Sequence, residues 1–131
     1  MKDNQNEQLF SELTPAEAAV VEGGVRVVID RIQAVRAGAD LIGADDTYIT
    51  VNGIKIWGDY SMTTGQTRFV NRSYTASGSS AQVRLFDADP WPNDDDSMGQ
   101  FTAVNTSGAL RRAPVSGAGS SYDVYYRGYA T

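Results

Sequence analysis

Thr47-Tyr48-Ile49-Thr50-Val51-Asn52-Gly53-Ile54-Lys55-Ile56-Trp57 is the stretch on which the fold turns. β-Branched and aromatic residues crowd both flanks of Asn52-Gly53, the pair best suited to a type I′ turn, whose two central residues both need positive φ. The stretch therefore predicts a β-hairpin with strands over residues 47–51 and 54–57. The same texture continues outward. Short runs rich in Val, Tyr, Phe and Thr over residues 66–75, 81–86, 100–104, 110–115 and 122–129 predict further strands. Gly- and Ser-rich turns at residues 76–80, 105–108 and 116–121 separate several of them. Upstream, Val25, Val28, Ile29, Ile32 and Val35 also fit a helical stripe, but the density of Val and Ile favours a strand with a phase shift or bulge over residues 25–36. Eight short strands within 107 residues predict an all-β, antiparallel β-sandwich.

The 131 residues suffice for one domain. They include no Cys and no His, which excludes disulfides, zinc sites, thiol nucleophiles and imidazole bases. A net charge of -5 is the wrong sign for holding nucleic acid by its phosphates, and no apolar run is long enough to span a bilayer.

The acids are unevenly placed. Residues 1–24 carry Asp3, Glu7, Glu12, Glu17 and Glu22 against the single base Lys2. Beyond Gly24 there is no Glu, and eight of the 11 Asp fall into two stretches: Asp40, Asp45 and Asp46, then Asp87, Asp89, Asp94, Asp95 and Asp96. If each connection reverses the chain, the loops after strands one, three, five and seven share one end, so the two clusters converge. Carboxylates gathered without a base repel one another, and a hard cation relieves that repulsion. Oxygen-only ligands on loops suit Ca²⁺ better than Mg²⁺. A single Asp-rich turn is ordinarily a solvated loop; two converging clusters are less easily explained that way. An EF-hand is excluded by position, since counting from Asp87 puts Pro92 where Gly is required and Met98 where Glu is required.

A composition break lies at Gly23-Gly24. Before it, Thr14-Pro15-Ala16-Glu17 reads as a capping box, predicting a short N-terminal helix. On local sequence the two glycines are a helix C-cap and joint. The segment from Leu9 to Gly24, with Phe10, Leu13, Ala18 and Val21 at its apolar positions, resembles the double-glycine leader of exported bacterial peptides. That resemblance implies cleavage after Gly24 by the peptidase domain of an ABC transporter, and an exported or cell-surface domain over residues 25–131.

Two further stretches carry a second resemblance. Asp40-Leu41-Ile42-Gly43-Ala44-Asp45-Asp46-Thr47-Tyr48 resembles the first calcium loop of C2 domains, where two Asp six residues apart precede a Tyr-containing strand. Val83-Arg84-Leu85-Phe86-Asp87-Ala88-Asp89, with Asp96-Ser97-Met98-Gly99 after it, is similar to that family's third loop. The resemblance implies calcium ligands at Asp40, Asp46, Asp87, Asp89 and Asp96, and the circularly permuted type II topology. Thr47 stands where the family usually has Pro, and the third loop is one residue longer than the common form, so either Asp95 or Asp96 fills the last position. Asn93 and Asp94 are outer-shell or exposed groups, while Asp45 and Asp59 read as solvated.

Many C2 domains bridge through calcium to anionic phospholipid and insert apolar loop-tip residues. Leu41, Ile42 and Trp91 are the expected tips here, the alternative for Trp91 being a ring folded back over its loop. Arg68 and Arg72 form a weak basic patch. Beside this reading of a calcium-dependent module for a membrane or other anionic surface stands a structural or adhesive protein. In that case calcium only stiffens the loops, and the strand with Tyr122, Tyr125, Tyr126 and Tyr129 pairs with another subunit. An enzyme built on paired carboxylates ranks last, because the acids sit in exposed loops with no partner base.

Overall fold

The computed structural model describes residues 23–39 and 43–131. The expected N-terminal helix and most of the leader lie outside the described residues. Those described form eight strands: β1 Val25–Arg36, β2 Asp45–Val51, β3 Ile54–Met62, β4 Thr67–Ala76, β5 Ser80–Asp87, β6 Asp96–Val104, β7 Arg111–Gly117 and β8 Ser120–Ala130. They pair antiparallel in two four-stranded sheets, ordered β4-β1-β8-β7 and β3-β2-β5-β6. The all-β sandwich expected from the sequence is thus the observed fold.

The Asn52-Gly53 hairpin forms as its residues require, with φ of 49° and 82° and Val51 paired to Ile54. Asn52 also secures the neighbouring strand, since Gln82 N–H donates to Asn52 Oδ1 at 2.8 Å. In β1 the buried positions run Val25, Val27, Ile29 and then Ile32, Ala34. The change of phase falls at the register shift between Ile29 and Arg31, which both partner strands share. A helical stripe would have buried Val35, which is instead 52% exposed. The bulge leaves Asp30 and Arg31 side by side in an ion pair at 2.6 Å.

Between the sheets, Val27, Ile29, Ile32 and Val124 face Ile49, Val51, Val83, Leu85 and Met98, all fully buried. Each such side chain contributes about 1.5–3 kcal/mol on leaving water. Two strands run further than their sequence suggested. β3 continues through Gly58-Asp59 to Met62, whose buried side chain completes the core, and β6 begins at Asp96 rather than Gln100. In both places a Gly inside the strand disguised it as a loop. β6 passes Gly99 at φ 112°, where a Cβ would lie 2.7 Å from backbone atoms of Ser116. Gly99 thereby lets β6 bulge and the two sheets approach.

The described parts of the connection between β1 and β2, residues 37–39 and 43–44, gather at one end with the connections 63–66, 88–95 and 118–119. Ala37 N–H donates to Thr64 Oγ1 at 3.0 Å, Gly38 N–H to Ser120 Oγ at 2.9 Å and Gly65 N–H to the Ala34 carbonyl at 2.6 Å. The strand expected to pair with another subunit is placed otherwise: β8 lies inside its sheet, hydrogen-bonded between β1 and β7. Its backbone groups are already used, so that route to assembly is closed.

Gly99→Ala combines left-handed strain with a steric overlap. It is expected to lower unfolding free energy by about 2–4 kcal/mol in a denaturant titration.

Candidate metal centre

Asp87 ends β5 and Asp96 begins β6, and the two are register partners. Antiparallel pairing sets directly opposed Cβ atoms about 4.5–5.5 Å apart, where two like charges destabilise the pair unless something offsets them. Asp89 follows two residues after Asp87, and its N–H donates to Asp95 Oδ1 at 2.9 Å, which turns the loop back on itself. Asp87, Asp89 and Asp96 each present a carboxylate oxygen within 4.8 Å of the others. Two oxygens about 2.3–2.6 Å from one Ca²⁺ stand at most about 4.6–5.2 Å apart, a limit these carboxylates meet. The three residues therefore offer oxygen donors only, close enough together to hold one hard cation such as Ca²⁺. Asp87 is fully buried, and Asp89 and Asp96 are half-buried, so the cluster opens toward solvent on the loop side.

The remaining expected residues divide. Asp46 is exposed and lies outside the cluster of three, but its backbone N–H donates to Asp87 Oδ1 at 2.6 Å, and its carbonyl accepts from Ala88 N–H at 2.8 Å. Those two bonds bring the first and third loops together. Asp95 is exposed, and its second oxygen accepts the Tyr48 hydroxyl at 2.5 Å. The hydroxyl and the Asp89 N–H hold its carboxyl below the ordinary Asp range. Burial and the same carboxylate push the Tyr48 phenol up. Asp40, Leu41 and Ile42 lie outside the described residues. Trp91 stands at the tip of the loop between Pro90 and Pro92, 92% exposed, and is not folded back. Asp59 is exposed, as expected, in an ion pair with Lys55 at 2.5 Å. Arg68 leans over the Tyr60 ring, and Arg72 donates to carbonyls of its own strand.

Asp45 overturns its expectation of solvation, being fully buried. Its Oδ1 accepts from Ala39 N–H at 3.0 Å, and its Oδ2 accepts from the Ser120 hydroxyl at 2.7 Å and the Tyr122 hydroxyl at 2.9 Å. Three donors compensate its loss of water. Burial, with Asp45 beside it, pushes the Tyr122 phenol up, and the Thr47 hydroxyl, 2.9 Å away, opposes that shift. Ser120 and Tyr122 lie 75 and 77 residues from Asp45, so no local pattern could have joined them.

No family model matches the sequence, and no curated protein matches it. Solved structures do. A structure described as that of a C2 domain superimposes with a TM-score of 0.55 at 14% identity, over 82% of this chain and 98% of that one. The first C2 domain of plant Extended Synaptotagmin 1 gives 0.53 at 15% identity, over 83% and 95%. A C2 domain-containing protein gives 0.58 at 17% identity, over 83% and 88%. Identities this low establish shape alone: the chain has a C2-like β-sandwich fold.

Because the Asp95 carboxyl is held low, its contribution to stability is present above the ordinary carboxylate pKa of about 3.9 and is lost as pH falls through its own lower value. Tyr48→Phe is expected to move the Asp95 titration up toward the ordinary range, read from its carboxyl carbon by NMR.

Proposed function

We propose that this C2-like domain is a calcium-binding module that attaches to anionic membranes or comparable surfaces when calcium is present. The observation that carries the reading is the cluster of Asp87, Asp89 and Asp96, three carboxylates close enough together to share one cation on the loop end of the sandwich. In this reading Asp40 and Asp46 from the first loop and Asp95 from the third complete or support the ligand set, and bound calcium supplies the positive charge that offsets it. Outside Asp40, Asp46, Asp87, Asp89 and Asp96, residues 25–131 carry 10 bases and six acids, so occupancy turns the module from repelling an anionic surface to tolerating one. Trp91 gives that surface an apolar contact, and burying so exposed an indole contributes about 2 kcal/mol or more. The permuted type II form of the fold, with β1 leading into the first acidic loop, is part of this reading. Export by the double-glycine route, with Gly23 and Gly24 as the cleavage signal and an ABC transporter as partner, belongs to the same reading. No helix among the described residues is long and apolar enough to cross a membrane. The domain acts by binding; it is not proposed as an enzyme.

Calorimetric titration of the full chain with CaCl₂ tests the first half. Heat from one or more ions is expected, with a Kd of about 10⁻⁴–10⁻³ M, as for extracellular modules. Asp87→Asn with Asp89→Asn should abolish it. Calcium at a hundredfold excess over Kd should stabilise the fold by about 2.7 kcal/mol, read as a higher melting temperature than in chelator. The absence of both heat and shift at millimolar calcium would sink the reading.

Sedimentation with phosphatidylserine vesicles tests the second half. Binding is expected only with calcium, and Trp91→Ala should weaken it by about tenfold or more while leaving the calcium titration unchanged. Calcium-dependent self-assembly without vesicle binding would favour the adhesive alternative.

A further inference from the structure

Among the described residues, Asp45 is the fully buried carboxylate at the loop end that belongs to no expected ligand set, and its surroundings give it a task. Along β2, Asp45 and Thr47 point inward while Asp46 between them faces out. Tyr122, on β8 in the opposite sheet, engages both inward neighbours through one hydroxyl: it donates to Asp45 Oδ2 at 2.9 Å and lies 2.9 Å from Thr47 Oγ1. The peptide N–H of Asp46, held between these two anchored residues, donates to Asp87 Oδ1 at 2.6 Å. Thr47 is also the register partner of Asp87. One phenol bridging the sheets thus sets the depth at which the Asp46 N–H meets the most buried carboxylate of the cluster.

The Asp45 carboxylate also holds the chain that enters the first loop. Three successive N–H groups find side-chain acceptors: Ala37 on Thr64, Gly38 on Ser120 and Ala39 on Asp45 itself, at 3.0, 2.9 and 3.0 Å. Ser120 accepts from Gly38 and donates to Asp45, which couples two of these contacts. The backbone leaves little slack, since a Cβ at Gly38 would lie 2.7 Å from the Gly119 carbonyl oxygen. Both the Asp45 and Asp87 charges act on the Tyr122 phenol, consistent with a single compact assembly.

We propose that Asp45, acting through Tyr122 and Ser120, is a positioning residue for the cation site: it sets the Asp46 peptide that orients Asp87 and fixes the arm entering the first loop. The proposal rests on the calcium reading above and deepens it. Groups that orient metal ligands through hydrogen bonds commonly change affinity by about 10- to 100-fold when removed.

The test uses the full chain in three forms, wild type, Asp45→Asn and Tyr122→Phe, with CaCl₂ as the probe. Tyr122→Phe keeps the buried ring and deletes only the bridging hydroxyl, so it serves where Asp45→Asn fails to fold. Calcium affinity is expected to fall about 10- to 100-fold in each folded variant. Hydrogen exchange in chelator should show lost protection at the Asp46 and Ala39 amides, with the amides of β2 and β3 beside the Asn52-Gly53 hairpin unchanged. A merely structural role would instead lower the melting temperature and raise exchange throughout, with wild-type affinity retained, and that result overturns the proposal alone. If the wild type itself takes up no calcium, the calcium reading and this proposal fall together.

Discussion

Two carboxylates placed opposite one another across an antiparallel strand pair are a constraint that the remainder of this molecule has to accommodate. Asp87 and Asp96 occupy that arrangement because β5 and β6 stay paired from Ser80 against Val104 onward, with a one-residue register shift between Arg84 and Phe86 that brings Asp96 opposite Asp87. The bulge by Gly99 adjusts β6 without releasing it. Asp87 is also fully withdrawn from water, so its position depends on donors arriving from elsewhere, and β2 supplies the Asp46 peptide. That peptide is in turn anchored to the opposite sheet. The loop end is therefore organised from the core outward, with a rigid base of strands beneath a polar rim.

Charge is segregated over the surface in a way that suits this base. The sheet faces carry the basic residues, several laid across aromatic rings: Arg26 over Tyr129, Arg31 over Tyr125, Lys55 over Tyr48 and Arg84 over Phe86, at 4.3–5.0 Å from the ring centroids. Such contacts cover apolar ring surface while keeping the cations wet. Tyr48 belongs to both worlds. Its ring stacks on Phe86 at 5.2 Å on the sheet, and its hydroxyl reaches Asp95 in the loop. The stack thus joins a well-packed face to a turn whose other ties are internal to it, Asp89 N–H to Asp95 Oδ1 and Asn93 N–H to the Pro90 carbonyl.

The sandwich was legible because its signals are local. Asn52-Gly53 specifies a turn by conformation, and β-branched runs specify strands by their fit to a pleated surface. Convergence of the loops followed from counting chain reversals, which is topology and needs no side-chain detail. That Asp87, Asp89, Asp95 and Asp96 lie near one another was legible because all four flank one connection. Which of Asp95 and Asp96 joins Asp87 and Asp89 was not, since the register shift in β6 decides it. What escaped was set by contacts far apart in sequence. Asp45 looks like a solvated loop acid until Ser120 and Tyr122 arrive from the last hairpin to bury it. β3 and β6 looked short because a glycine interrupts each, and only the neighbouring strands show that pairing continues past it. The tyrosines of β8 looked available to a partner because a sequence does not say which strand will lie between two others.

The two tryptophans occupy opposite extremes of environment. Trp57 is 7% exposed and packs its ring 4.7 Å from that of Tyr60, while Trp91 is almost wholly in water. Their emission should therefore separate, with a blue, quencher-resistant component from the sheet and a red, freely quenched component from the loop. Whatever covers that loop would alter the red component and leave the blue one alone. The molecule carries its own optical label at the place where contact matters, with an internal reference for the integrity of the fold.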